Sequence, residues 1–568
     1  MKNSDLQETD ILIVGGGGAG MRAAIEAASL GCQVLVANKG PVGRSGTTPM
    51  AMEAFQAVGF PGDSEEFHFR DTIEGGYRLG DENLISVLVR DAARRAKDLE
   101  AYGVKFKKKP DGAFDPMHHP GQTFPRALFI QGGGYGMMSG LVREAGKHPR
   151  IRVLNDVFVV KLILDRKGNV SGAILLDLKD GRVKALRSKA VILATGGYEE
   201  LWALNDASCT ACGDGVSLAY EAGAELVDLE MLQYYPTVVI HPPSIQGTLF
   251  QYELITDPEM LGGRLLNGKK EVFFEGKLLR DAIVRAIWRE VHAGRGTPHG
   301  GVYIDLVHST KGREKLARAL EKWQPNQFHY LKDMGFDLRE TLVEVAPHAH
   351  YTLGGVAIDE EARTTVPGVF AAGEVAGNLH GANRVSGNAL AETQVFGALA
   401  GASAAGWAKG KNFEESPDER DEGQQTKALL GSMGQNKERG FRPFQVREKL
   451  RRIMWDLCGV EREDEGLARG GRELERVEKE MIPRMAFAAP AGDGSFGPYP
   501  REVQDALEVR MMVTVGKLVL ASALFRKETR GHHMRTDYPS PSREPVHTLV
   551  ARGRGPWAKE VKKKEPRG

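Results

Sequence analysis

The chain has 568 residues with 41% apolar and 7% aromatic content, so it is long enough for about two to four globular units with ample core. Its 76 basic and 75 acidic side chains balance, which argues against nucleic-acid binding. Four cysteines in so long a chain indicate a reducing compartment without a disulfide framework. The polar N-terminus and the lack of an apolar run of about 18 residues predict a cytoplasmic protein with no membrane span of its own.

The first predicted elements form a strand–helix–strand unit around a glycine-rich loop. A buried strand, a helix and a second strand are predicted at residues 10–14, 21–30 and 33–37. The loop between them has the GxGxxG spacing of a pyrophosphate cradle, with the helix N-terminus facing the negative charge. Gly15 permits the tight turn, Gly17 lets the backbone approach the phosphates, and Gly20 lets the helix pack closely on the strand.

The end of the second strand bears on which dinucleotide is bound. Units that bind NAD usually carry Asp or Glu at this point, where the carboxylate hydrogen-bonds the ribose. Here the strand ends in Val36-Ala37-Asn38-Lys39, without an acidic residue. This departure disfavours NAD and leaves FAD as a candidate.

The rest of the pattern predicts a doubly wound α/β nucleotide-binding domain interrupted by an insertion. Further strands are predicted at residues 151–160, 161–176, 189–194, 346–359 and 368–372. We assign residues 1–238 and 347–408 to the nucleotide-binding domain and residues 239–346 to an inserted α+β capping domain. A charged linker, a helical domain and a C-terminal tail are predicted to follow, at residues 409–430, 431–530 and 531–568.

Short motifs along the chain occur in the order found in one enzyme family. They lie at residues 10–20, 39–48, 194–197, 213–215, 279–281, 294–296, 350–355, 371–374, 380–390, 528–532 and 535–539. On these motifs the chain resembles the flavoprotein subunits of succinate dehydrogenase and fumarate reductase, and also L-aspartate oxidase. The resemblance implies an FAD-binding first domain, a small carboxylate substrate and a partner iron–sulfur subunit, through which the protein could associate with a membrane.

The resemblance also implies a set of FAD-binding residues. They are Gly15, Gly17, Gly18, Ala19, Gly20, Asn38, Lys39, Ser45, Gly46, Thr47, Thr48, Val157, Thr195, Gly196, Asp214, Gly373, Glu374, Arg384, Asn388, Ala389 and Leu390. The hydroxyls of Ser45 and Thr47 can bind phosphate or ribitol, and Glu374 can accept hydrogen bonds from ribitol hydroxyls. Other roles stay open, because Ser45 and Thr47 could cap a turn and Glu374 could cap a helix.

Gly46 bears on how the FAD is attached. The respiratory members of the family tether FAD covalently through the histidine of an Arg-Ser-His-Thr segment. The corresponding segment here is Arg44-Ser45-Gly46-Thr47, and glycine has no nucleophile. We therefore expect FAD to be bound without a covalent link.

The family reaction moves a hydride between flavin N5 and a carbon of a dicarboxylate, with a proton on the neighbouring carbon. His350 and Arg384 match the residues that clamp the carboxylates, a task that suits a guanidinium. Arg280 matches the proton donor or acceptor, which would need a site rich in other positive charge. Two other roles stay open: Arg280 could be a salt-bridged helix start beside Asp281, and His350 could be a buried, hydrogen-bonded histidine.

Three departures from the family pattern concern the predicted substrate site. Tyr235 stands where the family has a carboxylate-binding histidine, and a phenol carries no positive charge. Thr256 and Asp257 replace a Thr-Glu pair, and no arginine precedes Gly262-Gly263, so the proton relay to Arg280 is altered. The segment 120–123 lacks the aromatic residue that packs on the substrate. We therefore predict a substrate other than plain fumarate or succinate, or a different binding mode.

Three classes of function stay open. The first is a catalytic FAD protein that acts beside a carboxylate and is paired with an iron–sulfur subunit. The second is an amino-acid oxidase like L-aspartate oxidase, and the third is an electron-relay flavoprotein of a larger redox complex. Cys209 and Cys212 could exchange electrons with the flavin as a dithiol, although Cys212 could equally be a small packing residue. We predict no metal site in this chain.

Overall fold

The structure is a computed structural model that describes residues 7–564 except 53, 277–279, 324, 414–422, 427, 429–439, 489 and 492–493. Much of the predicted linker, the start of the predicted helical domain and Leu279 of the predicted 279–281 motif lie outside the described residues. The strands β1–β20 are Gln7–Val14, Val34–Asn38, Ala54–Gln56, Ala127–Phe129, Ile151–Asn155, Val157–Leu164, Val170–Asp177, Arg182–Leu193, Leu226–Val227, Leu232–His241, Arg264–Leu266, Val272–Phe274, Val302–Asp305, Val343–Thr352, Gly355–Val356, Val369–Ala371, Glu461–Arg462, Met534–Arg535, Val546–Ala551 and Arg554–Glu560. The helices α1–α13 are Gly18–Ser29, Glu65–Gly75, Glu82–Ala101, Gly133–Ala145, Asp214–Glu221, Tyr252–Ile255, Arg280–Glu290, Arg313–Trp323, Pro325–Asp333, Asn388–Ala408, Pro443–Leu457, Asp464–Arg476 and Arg501–Phe525.

The main sheet has the strand order β5-β2-β1-β8-β7-β6, with β16 also paired to β8. Strands β5, β2, β1, β8 and β16 run parallel, and β6 and β7 add an antiparallel hairpin. Ile11, Leu12 and Ile13 are completely buried, and helices α1 and α10 pack against the parallel strands. The predicted doubly wound α/β fold is confirmed.

Helices α1 and α10 pack against each other through small residues. A Cβ at Gly397 would lie 2.7 Å from the carbonyl oxygen of Ala19, and one at Gly401 would lie 2.5 Å from that of Ala23. Larger side chains would separate the two helices. This contact holds the start of α1 against α10, and it therefore also fixes the glycine loop that precedes α1.

A second, five-stranded sheet has the order β10-β14-β13-β11-β12 and forms the inserted cap. Its helices α7, α8 and α9 enclose a separate core that includes Val238, Leu265, Ile283 and Leu320. Strands β10 and β14 extend beyond the predicted limits 239–346, because β10 begins at Leu232 and β14 ends at Thr352. The exact domain boundaries stay predictions.

Helices α11, α12 and α13 pack together beyond the gap at 429–439 and form the C-terminal helical part. Strands β19 and β20 lie within the predicted tail, where they form a hairpin whose first strand pairs with β9. Among the described residues, no helix has both the length and the apolar character that crossing a bilayer requires.

Candidate functional site

The glycine loop leaves its backbone open towards a cavity. Gly15 has a φ of +104°, and a Cβ there would overlap the carbonyl oxygen of Ala194. A Cβ at Gly20 would overlap the carbonyl oxygen of Gly15, which explains the close approach of α1 to β1. Helix α1 has Gly17 at its N-cap, without a capping side chain, so its first turn can bind an anion.

The cavity has a volume of about 480 Å³ and lies at the carboxyl ends of the parallel strands, under the cap. Of the predicted site residues, those lining it are Gly15, Gly17, Gly18, Ala19, Asn38, Lys39, Ser45, Gly46, Thr47, Thr48, Val157, Thr195, Gly196, Asp214, Tyr235, Arg280, His350, Gly373, Glu374, Arg384, Ala389 and Leu390. Residues that are more than 350 positions apart in the sequence, such as Gly15 and Leu390, therefore line the same cavity.

Four predicted site residues do not line this cavity. Gly20 packs against the loop backbone, and Asn388 bridges two side chains of α2, His68 at 2.9 Å and Thr72 at 3.1 Å. Thr256 Oγ1 donates to the carbonyl oxygen of Tyr252 at 3.1 Å, and Asp257 Oδ1 accepts from the Glu259 N–H at 2.8 Å. Each of these four residues has a structural contact that a motif alone does not reveal.

Two side chains hold the glycine loop in place. Asn38 Oδ1 accepts from the Gly16 N–H at 2.8 Å, while its amide donates to the Gly40 carbonyl and to Ser45 Oγ. Thr48 Oγ1 accepts from the Gly18 N–H at 3.1 Å. The asparagine that stands where NAD-binding units have an acid therefore supports the loop itself.

The polar atoms of the cavity fit a bound dinucleotide. Thr195 Oγ1 is buried and has no hydrogen-bond partner among the described residues, as expected for an atom that faces a ligand. Lys39 Nζ lies 3.4 Å from Asp214 and donates to the Thr210 carbonyl at 2.9 Å, which joins the end of β2 to the segment before α5. The open loop backbone and these groups can hold FAD.

Glu374 has a buried acidic neighbour that the sequence did not indicate. Glu374 Oε1 and Glu199 Oε1 both accept from the Thr352 N–H, at 3.1 and 2.9 Å. Burial and the charge of Glu199 raise the pKa of Glu374 well above its usual value. The raised pKa favours the protonated form of Glu374, which can donate as well as accept a hydrogen bond.

The capped end of the cavity contains an acid–imidazole–guanidinium arrangement. His350 Nδ1 lies 3.0 and 2.9 Å from the two carboxylate oxygens of Asp206, and the Arg384 Nη2 donates towards His350 Nε2 at 3.5 Å. Arg384 also stacks on the Tyr351 ring at 4.5 Å, and within the described part of the chain its Nε has no hydrogen-bond partner. Asp206 also lines the cavity, and sequence analysis missed it because no motif marks its loop.

Arg280 lies at the start of α7, above two aromatic rings. Its guanidinium is 5.0 Å from the Tyr235 ring centroid and 5.6 Å from that of Tyr252. Tyr235 also packs against His350, with ring centroids 4.9 Å apart. The phenol ring that replaces the family histidine therefore contacts both Arg280 and His350.

The electrostatics of this end favour an anion. Burial and the charge of Arg280 lower the pKa of Arg384 to about 10. Burial also lowers the pKa of His350, with Arg280 and Arg384 acting in the same direction and Asp206 opposing them. A bound carboxylate would relieve the repulsion between these groups.

Two further arginines lie close in sequence to the departures from the family pattern, and both pair with aspartates. Arg126 is completely buried between Asp63 and Asp71, at 2.8 and 2.5 Å. Arg264 pairs with Asp305 at 2.9 Å and does not line the cavity. Neither arginine takes the place of the missing family arginine.

The two neighbouring cysteines differ in environment. Cys209 is exposed and Cys212 is buried, and the Cys212 thiol donates to the Cys209 carbonyl oxygen at 3.4 Å. Burial raises the pKa of Cys212 well above its usual value, so it is a thiol rather than a reactive thiolate. These observations favour a packing role for Cys212.

Two family models match most of the chain. The model described as the FAD binding domain covers residues 10–390, and the one described as the fumarate reductase flavoprotein C-terminus covers residues 447–560. An uncharacterised FAD-dependent oxidoreductase of Methanocaldococcus jannaschii is 35% identical over 562 residues, covering 98% of both chains. A fumarate reductase (CoM/CoB) subunit from Methanothermobacter marburgensis is 36% identical over 550 residues, covering 94% of this chain and 95% of the relative.

Solved structures agree with these matches. Mycobacterium smegmatis Sdh1 in complex with UQ1 superposes with a TM-score of 0.88 at 29% identity, covering 99% of this chain and 96% of the other. An Escherichia coli quinol fumarate reductase FrdA structure also gives 0.88, at 27% identity, covering 99% and 98%. The chain is an FAD-dependent oxidoreductase that belongs to the fumarate reductase and succinate dehydrogenase flavoprotein family.

Proposed function

We propose that this protein is the FAD-carrying component of an enzyme that reduces or oxidises a carbon–carbon bond beside a carboxylate. The observation that carries the proposal is the convergence of Arg280, Arg384 and His350 at the capped end of the FAD cavity. Guanidinium groups bind carboxylates through paired, charge-assisted hydrogen bonds, and the burial of both arginines strengthens such contacts. In this role Arg384 and His350 orient the carboxylate, while Arg280 exchanges a proton with the substrate carbon.

The proposed FAD is held without a covalent bond. Gly46 lines the cavity and has a φ of +85°, and among the described residues no heavy atom lies within 4 Å of its hypothetical Cβ. When bound, FAD supplies the group that accepts or donates a hydride. The loop backbone at Gly17, together with Thr195 and Glu374, would bind and orient it.

The proposed electron partner is an iron–sulfur subunit. The relative from Methanothermobacter marburgensis is named as one of the subunits of a fumarate reductase, and a relative from Wolinella succinogenes is named as the flavoprotein subunit of 8-methylmenaquinol:fumarate reductase. In the residues that the structure describes, no group of three or more His, Cys, Asp or Glu is placed to hold a metal. We propose that the metal centres belong to the partner, and that the assembly is cytoplasmic.

The substrate is proposed to differ from plain fumarate in size or charge. Tyr235 gives the pocket one basic side chain fewer than the family pattern, and the buried carboxylate of Asp206 also lines the pocket. Losing one charged clamp weakens carboxylate binding by roughly 1.5–3 kcal/mol. An unsaturated carboxylate with one clamped carboxyl group fits this arrangement better than a fully clamped dicarboxylate.

The test is reduction of unsaturated carboxylates by the purified holoprotein with reduced viologen as the electron donor. We expect turnover of at least one such compound, and a loss of about 1000-fold or more in Arg280→Gln because the proton donor is removed. Arg264→Gln is the matched control, since Arg264 pairs with Asp305 outside the cavity lining. Unchanged turnover in Arg280→Gln would show that Arg280 does not exchange a proton with the substrate.

Two other results would place the protein in one of the two remaining classes of function. Hydrogen peroxide formed from aspartate and oxygen would indicate an amino-acid oxidase. Electron transfer from viologen to an iron–sulfur protein without reduction of any carboxylate would indicate an electron relay.

A further inference from the structure

The Asp206–His350 pair is built into the cavity as a rigid unit. The Asp206 side chain is only 4% exposed, although the residue lies in a loop. Its backbone N–H donates to the Ala349 carbonyl at 3.1 Å, and the Ala349 N–H donates to the Leu204 carbonyl at 2.9 Å. This short bridge to β14 fixes the carboxylate opposite the ring of His350.

The geometry determines where the imidazole carries its proton. A carboxylate only accepts hydrogen bonds, so the Nδ1 atom that faces Asp206 must be the N–H donor. In the neutral ring, Nε2 then carries a lone pair, and it faces Arg384 Nη2 at 3.5 Å. This lone pair would repel a carboxylate, whereas an imidazolium N–H would bind it.

The groups around His350 keep it neutral until an anion enters. Those that face it are Asp206, Arg280, Arg384, Tyr235 and His532. The two guanidinium charges and burial disfavour the imidazolium, and the single carboxylate of Asp206 favours it. A second carboxylate beside Nε2 would reverse the balance, because the imidazolium would then lie between two anions.

We infer that carboxylate binding takes up one proton, which His350 accepts at Nε2 while Asp206 stabilises the charged ring through Nδ1. Asp206 is thus a positioning residue. It orients His350, which becomes charged only when a carboxylate is bound. The inference rests on the proposed function, because it requires a carboxylate ligand at this site. The proton comes from solvent, and no bond to the ligand forms or breaks.

The consequence is an affinity that falls with rising pH. Where the free protein has neutral His350 and the complex has the imidazolium, affinity falls about tenfold per pH unit. A site that used only arginine clamps would show no such dependence near neutral pH.

The experiment is calorimetric titration of the oxidised holoprotein with fumarate and with malonate at about pH 7.5, in buffers that differ in ionisation enthalpy. Fumarate cannot be reduced by oxidised enzyme, so binding is measured without turnover. We expect uptake of about one proton per site in the wild type. Asp206→Asn should abolish most of this uptake and weaken binding about tenfold, and Asp206→Glu should restore part of both.

Asp305→Asn is the matched control. Asp305 is also a buried partner of a histidine, His308 at 3.0 Å, but it lies outside the cavity lining. Proton uptake should be unchanged in this variant. His350→Gln should bind the probes without proton uptake and serves as the second test if Asp206→Asn fails to fold.

The outcomes separate the two proposals. Binding without proton uptake in the wild type, or full uptake in Asp206→Asn or His350→Gln, would overturn the inference and leave the proposed function standing. Failure of the wild type to bind either probe or any other unsaturated carboxylate would overturn both.

Discussion

Lys39 Nζ lies 3.2 Å from Glu508 Oε1, and this contact joins the end of β2 to the last long helix, α13. Lys39 lines the FAD cavity, and Glu508 is 1% exposed with Arg447 as a second partner. The C-terminal helical part therefore completes the charge balance of the nucleotide site.

Glu508→Gln is expected to destabilise the protein by about 2 kcal/mol, because Lys39 and Arg447 lose their shared carboxylate. The two cations then keep only their longer contacts with Asp214 and Asp505. Chemical denaturation followed by tryptophan fluorescence measures the change. Glu502→Gln on the same helix is the control, since Glu502 pairs with Arg442 at an exposed position and should cost less than about 0.5 kcal/mol. Equal losses in the two variants would contradict the buried network.

Gly17→Ala is expected to weaken FAD binding at least about tenfold without disturbing the fold. A methyl group there would meet Thr48 Oγ1 at 3.5 Å, an ordinary contact, and would otherwise project into the cavity. Titration of apoprotein with FAD, followed by flavin fluorescence, measures the dissociation constant. Gly471→Ala in α12 is the control, because in the part of the chain that the structure describes no heavy atom lies within 4 Å of its Cβ position. Wild-type affinity in Gly17→Ala would argue against the glycine loop as the pyrophosphate cradle.

Acid precipitation of the purified protein is expected to release its flavin intact into the supernatant. The reason is that Gly46 offers no side chain for a covalent link. Absorbance of the supernatant and pellet, with mass spectrometry of the pellet, measures the partition. Flavin that stays with the pellet would show that another cavity residue forms a covalent bond.

Arg384→Lys is expected to raise KM for the carboxylate substrate about 10- to 100-fold with a smaller change in kcat, because lysine cannot form the paired hydrogen bonds of a guanidinium. Steady-state kinetics with reduced viologen measure both constants. Arg363→Lys, which changes an exposed arginine paired with Asp359, is the control. A fall in kcat alone would place Arg384 in the chemical step rather than in substrate binding.

Stability is expected to fall as pH drops below about 6.5, because buried histidines resist protonation in the native state. His533 accepts a hydrogen bond from Arg462 at Nδ1, at 2.9 Å, and burial lowers its pKa well below 6.5. The unfolded chain binds a proton there as pH falls and the folded chain does not, so folding loses free energy. Glu508, whose pKa is lowered to about 2, adds a further loss between about pH 4.5 and 2.

Thermal unfolding at several pH values measures this effect. We expect little change in melting temperature between about pH 8 and 7, and a progressive fall below about pH 6.5. His533→Gln should flatten the upper part of that fall, since glutamine does not titrate. If the melting temperature of His533→Gln fell with pH as steeply as that of the wild type, other titrating groups would cause the loss of stability.

Most of the residues that the motifs assigned to FAD line the cavity, but the motifs did not indicate the residues that support them. Gly15 to Gly20 were recognisable because their role is local, set by backbone conformation and close approach within a few residues. Asn388 was assigned to FAD from its motif, yet its amide bridges two side chains of α2. The motif could not show this contact, because it fixes a residue's position in the chain and not the direction of its side chain.

The family, the doubly wound fold and the glycine-rich loop could be recognised from the amino-acid sequence, because each depends on residue order and short-range periodicity. Only the tertiary structure brought Asp206 to His350, 144 positions away, and Lys39 to Glu508, 469 positions away. These pairs depend on how the cap and the C-terminal helices pack onto the main sheet. Their charges matter because packing removes water from around them, and no local pattern in the chain encodes that burial.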